Sequence, residues 1–302
     1  MPLPISSAST IASYAIQPSP PSRTSLSIEL SQATHRVHLI NAFPSINPGA
    51  RLLEIGCGQG TSTQALAHAI CGSPPGHITA LDPASLDYGR PFTLGEAQSH
   101  LSSGPIGPLI TFVQADPVSY LREHPEEKWD VAVLIHCIWY FPSPDVLLDI
   151  LKALKGRAKK VCIAEWALQA TNPAATAHVL AALARATFEA HRRESKENIQ
   201  TALSPEGIKR VAKKAGWKVE GEGVVIPEEG LDDGFWEAGT VVSEEFLGEV
   251  ECEVDDERVR AVLKAARDAT VAAARLIGGE DGAKKARGVR SMDVWAGTLV
   301  EE

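Results

Sequence analysis

The residues best suited to chemistry lie in the segment Leu52-Leu-Glu54-Ile-Gly56-Cys57-Gly58-Gln-Gly60-Thr61. An apolar run leads into three glycines at alternate positions, and a stretch of Thr, Gln, Ala and Leu follows. That order suits a strand turning tightly into a helix, with a ligand approaching the backbone where side chains would stand in the way. A dinucleotide fingerprint sets its third glycine three residues beyond the second; here that position is Thr61. Glu54 precedes the loop, where a carboxylate repels a phosphate and attracts a cation. The bland alternative is a strand-to-helix turn that holds no ligand.

Two further carboxylates end apolar runs: Asp82 in HITALD and Asp116 in FVQADP. Asp82 occupies the place where an acidic side chain accepts the ribose hydroxyls of an adenosine. Each is followed by proline, Pro83 and Pro117, so each also reads as a helix N-cap.

Together these residues resemble the class I S-adenosylmethionine-dependent methyltransferases. Glu54 to Gly60 is similar to their first motif, and their cofactor bears a sulfonium and an ammonium but no phosphate, in line with the charge of Glu54. The resemblance implies that Glu54, Gly56, Cys57 and Gly58 cradle the cofactor, that Asp82 and Pro83 meet its ribose, and that Ala115 and Asp116 meet its adenine. The run WDVAVLIHCIWYF, opened by Asp130, resembles the fourth motif, which sets His136 and Cys137 beside the transferable methyl group. Relatives that methylate amide or base nitrogens carry Asn or Asp and then Pro-Pro-Tyr here. This chain has His136-Cys137-Ile138-Trp139 instead, which argues against DNA or protein glutamine as acceptor. Residues 87–101 and those beyond the fourth motif look most like the small-molecule methyltransferases of fungal secondary metabolism.

Methyl transfer is an in-line displacement, so alignment supplies much of the acceleration. For a hydroxyl acceptor a proton must also leave, and His136 is the best-placed base; otherwise it stacks on the cofactor or satisfies a carbonyl. Trp139, Tyr140 and Phe141 either offer aromatic faces to a cation or belong to the core. Glu165 and Trp166, ending a fifth apolar run, face the same crevice by the rule that ligands bind outside the carboxyl ends of parallel strands; Glu165 would pair with an amine or a helix end. His35 and His38 flank Arg36 and read as a solvated helix face, because no third donor is spaced to make a metal site. His178, His191 and the run Glu228, Glu229, Asp232, Asp233 likewise read as surface. No metal is expected.

The elements that must position these residues are legible in the pattern. RLLEI (51–55), HITAL (77–81), LITFVQ (109–114), WDVAVLI (129–135) and KVCIAE (160–165) are apolar on both faces, separated by stretches able to hold crossover helices, which predicts a parallel sheet covered on both sides. WKVEGEGVVI and MDVWAGTLV supply strands six and seven, giving an α/β, Rossmann-like seven-strand sheet with its last strand antiparallel. The expected organisation is a flexible arm over 1–26, rich in Ser, Thr and Pro, and a cofactor-binding core over 27–171 opened by a helix from Ser27 to Phe43. A helical lid segment follows over 172–203, then a core helix and strand six over 204–227, a second lid insertion over 228–290 and strand seven over 291–302. Phe235 and Trp236 of that insertion are expected to wall the acceptor pocket. Tyr14 and Ile16 of the arm offer groups that would fold over a ligand.

Composition narrows the partners. With 29 Lys and Arg against 38 acidic residues, the net charge of −9 repels polyanions, so neither nucleic acid nor an acidic membrane is an expected partner. Five cysteines without a CxxC pair fit neither a disulfide framework nor a zinc ribbon. The early residues carry no signal-peptide pattern, so a cytoplasmic location is expected. The expected function is S-adenosylmethionine-dependent methylation of a small, largely apolar molecule, on oxygen rather than nitrogen, sulfur or carbon. The alternatives are a cyclisation or elimination in the same cofactor pocket, or a non-catalytic binding subunit. The sequence leaves oligomeric state open.

Overall fold

The computed structural model describes residues 2–20, 22–192 and 197–302. Its centre is a seven-stranded sheet of β1 (Arg51–Ile55), β2 (His77–Asp82), β3 (Ile110–Gln114), β4 (Trp129–Ile135), β5 (Ala158–Trp166), β6 (Trp217–Val225) and β7 (Val294–Glu301). The spatial order is β3-β2-β1-β4-β5-β7-β6. The first five strands pair in parallel, and β7 runs antiparallel to both β5 and β6. The order reverses between β1 and β4, so a crevice opens outside their carboxyl ends.

The apolar runs form strands because both faces are covered. Leu52, Val131 and Val133 belong to a cluster on one side of the sheet, while Leu53, Ile55, Ala132 and Leu134 belong to a second on the other. The first face is covered by α2 (Arg23–Asn41) and α3 (Thr61–Ile70), the second by α5 (Pro117–Glu123), α6 (Pro144–Ala153) and α8 (Pro205–Lys214). At the β6 edge, Lys218, Glu220 and Glu222 are exposed and the register shifts between Val219 and Gly221. Charge and a bulge both discourage a further strand from adding there.

A third apolar cluster joins α7 (Thr176–Glu189), α9 (Asp233–Val242), α10 (Glu244–Glu253) and α11 (Glu257–Lys285). At its centre Phe246 meets Phe188 edge to face, with ring centroids 5.7 Å apart. Ser243 separates α9 from α10. That residue is extended, and its hydroxyl accepts the Phe246 N–H to start α10. Residues 193–196 of the expected lid segment lie outside the described residues, as do Met1 and Pro21 of the arm.

The arm is not the open tail its composition suggests. Residues Ser7–Ala12 form a short helix, α1, that buries Ala8 and Ile11. The Leu3 N–H donates to Asn41 Oδ1, and Asn41 returns a bond to the Leu3 carbonyl. The arm needs few large apolar groups of its own because it borrows the surface of α2 and α3. The helix over α2 also starts earlier than its apolar spacing predicts, at a Ser22–Ser25 capping box. Among the described residues no helix is long and apolar enough to cross a membrane.

Candidate active site

The glycine loop leaves β1 with Gly56, Gly58 and Gly60 all in the left-handed region, at φ of 73°, 52° and 88°. The three glycines serve different purposes. A Cβ on Gly56 would meet the Cys137 side chain, and one on Gly60 would meet Leu101, but one on Gly58 would have nothing within 4 Å. Gly58 is thus the position where the loop faces open space. Its N–H donates to Asp82 Oδ2 at 2.8 Å, and its carbonyl accepts from Gln98 Nε2 at 2.8 Å. Gln98 lies on α4 (Leu94–Ser103), a helix that sequence reasoning left without a role. The Gly56 and Cys57 amides both donate to the Leu81 carbonyl, tying the loop to the end of β2.

Asp82 accepts from Gly58 N–H and, through Oδ1, from Ala84 N–H at 2.9 Å. Each carboxylate oxygen has a further lone pair for a ligand hydroxyl. Pro83, the residue after it, is exposed. Asp116 is exposed and caps α5 by accepting the Ser119 N–H at 2.8 Å, while Ala115 donates its amide to the Asp82 carbonyl. The cap uses Oδ1 and takes no bond on Oδ2.

Glu54 is 2 % exposed and accepts from Thr63 Oγ1 at 2.6 Å. Burial pushes its carboxyl up to about 8; the Thr63 bond opposes that rise, the Asp82 charge adds to it and Arg36 opposes it. A cation brought beside Glu54 therefore meets a carboxyl that gains by ionising. The Cys57 and Cys137 thiols are buried and pushed up by that burial, so neither supplies a thiolate. Cys137 Sγ donates to the Ile55 carbonyl at 3.2 Å.

His136 follows β4 with a φ of 51°, a left-handed conformation that costs a non-glycine residue about 1–3 kcal/mol. Its Nε2 lies 3.0 Å from His35 Nε2, and its Nδ1 lies 3.5 Å from Glu165 Oε1. Burial, with Arg36 as a lesser cause, holds the His136 imidazole well below its ordinary range, so the ring is neutral. Glu165 is 1 % exposed; its Oε2 accepts the Ile138 N–H and its Oε1 the Trp166 N–H, both at 2.9 Å. Burial raises its carboxyl to about 7 despite those bonds and the Arg36 charge. The Trp166 ring lies 4.4 Å from His136 and stacks 6.0 Å from His35, with His178 edge-on at 5.1 Å.

Three residues read as surface in the sequence prove buried here. His35 and Arg36 are 3 % and 9 % exposed because α2 buries a wide face that includes Ala33, Val37 and Ile40. Arg36 donates to Ser62 Oγ and to Gln32 Oε1. His178 is buried on α7, where its Nδ1 accepts the Met292 N–H at 2.9 Å. Asp233 also departs from the surface expectation. It accepts from Gln32 Nε2 at 2.9 Å and lies within electrostatic reach of Arg36. His38 and Glu228 do remain at the surface, paired at 2.9 Å.

The aromatic candidates divide. Trp139 is 3 % exposed, donates to the Leu203 carbonyl, and accepts from Gln200 and Thr201 through its own carbonyl, so it anchors the 200–203 segment. Tyr140 is 47 % exposed and lies within electrostatic reach of Tyr88, Glu237, Glu165 and Asp233. Phe235 and Trp236 are 37 % and 44 % exposed. Phe235 lines a surface cleft of ≈ 280 Å³ with Leu231, Asp232 and Arg290.

The loop, the carboxylates of Glu54 and Asp82 and the open space at Gly58 fit a cationic adenosyl ligand. A family model described as a methyltransferase domain matches residues 29–222. The chain is a class I S-adenosylmethionine-dependent methyltransferase. Two methyltransferases of Diaporthe leptostromiformis, phomM' and phomM, are each 31% identical to it over 90% of this chain and 78% of theirs. Among solved structures, a cyclopropane-fatty-acyl-phospholipid synthase-like protein from Lactobacillus casei is 27% identical, with a TM-score of 0.78 over 98% of this methyltransferase and 99% of that chain.

Proposed function

We propose that this methyltransferase methylates a hydroxyl of a small, largely apolar molecule of secondary metabolism and that the acceptor's proton is drawn off through His136. The observation that carries the reading is the placement of a neutral His136 imidazole between Glu165 and His35, on a loop that touches the glycine loop through Cys137 and Gly56. A neutral imidazole beside a buried carboxyl is the arrangement of a general base.

S-adenosylmethionine, when bound, supplies an electrophilic methyl group. Gly58 admits it to the loop, Glu54 meets its positive charge, Asp82 with Pro83 holds the ribose, and Ala115 with Asp116 meets the adenine. Cys57 and Cys137 line the same loops as neutral, compact groups. Trp166 fixes the His136 ring, and Tyr140, Phe235 and Trp236 offer the apolar acceptor a surface at the mouth of the crevice. The acceptor is oriented and water kept out by these side chains, since alignment carries much of the rate.

The test is a panel of small phenols, alcohols, amines and thiols offered with methyl-deuterated cofactor. A deuteromethoxy product supports the reading, and methylation at nitrogen or sulfur overturns it. The Lactobacillus casei neighbour, described as cyclopropane-synthase-like, favours one second reading, transfer to an alkene carbon. Loss of the alkene with an unchanged hydroxyl in the product would identify that outcome.

A further inference from the structure

His35, on α2, is 3 % exposed; its ring stacks on Trp166 at the end of β5 and its Nε2 lies 3.0 Å from His136 Nε2. Two imidazole nitrogens at that distance share one proton, because two lone pairs or two N–H groups facing each other would repel. Both rings are neutral: burial, and less strongly Arg36, holds each well below its ordinary range. His35 Nδ1 and His136 Nδ1 are both buried without a hydrogen-bond partner.

Glu165 decides which ring donates. While it is ionised, His136 keeps its Nδ1–H toward Oε1, so His136 Nε2 accepts from His35 Nε2–H and the lone pair lies on His35 Nδ1. While Glu165 is protonated, its O–H faces the His136 Nδ1 lone pair, His136 Nε2–H donates to His35, and His35 carries its proton on Nδ1. Each ring carries one proton in both states, His35 on Nε2 in the first and on Nδ1 in the second, and the one proton by which the states differ is on Glu165.

We propose that His35, His136 and Glu165 form a proton relay in which His35 Nδ1 takes the acceptor's proton and Glu165 gains one in exchange. This rests on the hydroxyl reading above. The acceptor O–H breaks as His35 Nδ1–H forms, His35 Nε2–H passes to His136 Nε2, and His136 Nδ1–H passes to Glu165 Oε1 once the 3.5 Å between them closes to hydrogen-bond length. The oxygen's electron pair forms the new bond to the methyl carbon, and the sulfur keeps the pair of the bond that breaks. Neither ring has to hold a positive charge, which matters because Arg36 lies beside both. Other charged or titratable groups within electrostatic reach of the three are His38 on α2, Cys137 and Tyr140 after β4, and His178 on α7. Trp166, stacked on His35 and tilted against His136, keeps them in line.

The test needs no acceptor. In protein labelled with ¹⁵N-histidine, long-range ¹H–¹⁵N correlation reports which nitrogen of each ring is protonated. As pH rises, His136 is expected to move its proton from Nε2 to Nδ1 and His35 from Nδ1 to Nε2, in one transition centred near the Glu165 value of about 7. In Glu165→Gln the transition should vanish. Tautomers that never change, one ring changing without the other, or a transition that persists in Glu165→Gln would each overturn the relay. The wild-type titration decides the matter even if the variant fails to fold. A product methylated on nitrogen, sulfur or carbon would refute the hydroxyl assignment and leave the titration unchanged, so the two failures are distinguishable.

Discussion

A Cβ on Gly56 would stand 2.5 Å from the Cβ of Cys137. The loop after β1 and the loop after β4 therefore touch through a missing side chain, at the place where the strand order reverses. On the reading proposed above, one loop faces the cofactor and the other carries His136, so their contact fixes the distance between the methyl donor and that imidazole.

Replacing Gly56 and Gly58 should separate folding from binding. Gly56→Ala combines a positive φ with overlap on Cys137, and about 2 kcal/mol or more of stability should be lost. Gly58→Ala meets open space in the empty protein and carries only the conformational cost of about 1–2 kcal/mol. Its methyl would occupy cofactor space, so affinity for S-adenosylhomocysteine should fall about tenfold or more. Thermal unfolding and calorimetric titration of both variants check this; equal losses in the two would refute it.

Asp82→Ala should weaken S-adenosylhomocysteine binding by about 1.5–3 kcal/mol, the usual effect of losing a charged acceptor. It also frees the Gly58 N–H that now donates to Asp82, so part of the loss reflects a loosened loop. Asp82→Asn restores one acceptor and should recover part of the affinity. Unchanged binding in Asp82→Ala would remove Asp82 from the site.

The strands and the loop were legible because strand periodicity and glycine spacing are local. All seven strands fall where apolar runs predicted them; Asp82 ends β2, and Asp116 follows β3 by two residues as the cap of α5. His35 and Arg36 were not read as site residues, since a polar residue in a helix is normally solvated. The signal was present: Ala33, Arg36, Val37 and Ile40 share one helical face, and Arg36 inside that stripe has to be buried with it. His178 escaped for a different reason. On α7, Ala177, Ala181, Ala184 and Phe188 face one neighbour while His178, Ala182, Arg185 and Glu189 face another, and a helix buried on two sides has no single apolar stripe to read.

Between about pH 6.5 and pH 8 the ligand-free protein should lose stability as pH rises. Glu54 and Glu165 are raised to about 8 and about 7 in the folded state. Over this window the folded chain holds protons that the unfolded chain has already released, so rising pH favours unfolding. His35, His136 and His178 are lowered by burial and act at lower pH, where the unfolded chain protonates first and acid destabilises the fold. Melting curves across that range should show the decline, and Glu54→Gln should flatten it. A cationic cofactor ionises Glu54, so its binding near pH 7 should release a proton, measurable by calorimetry in buffers of different ionisation enthalpy. A flat wild-type curve, or binding without proton release, would contradict the raised Glu54.

The helical layer offers a comparison between aromatic residues that differ in burial. Phe246 is 1 % exposed against Phe188, and truncating it to Ala should cost about 3–5 kcal/mol through lost burial and a cavity. Phe235 and Trp236 are 37 % and 44 % exposed, on the helix whose Asp233 reaches across to Gln32 on α2. Ala substitutions there should leave the stability within about 0.5 kcal/mol of wild type, as surface changes usually do. Their effect should appear as weaker acceptor binding with cofactor affinity intact, because α9 stands away from the glycine loop and brings only Asp233 toward Arg36. A Trp236→Ala protein that binds cofactor, melts normally and turns over the acceptor with unchanged KM would place the acceptor's apolar wall elsewhere, on Tyr140 and Tyr88 across the crevice.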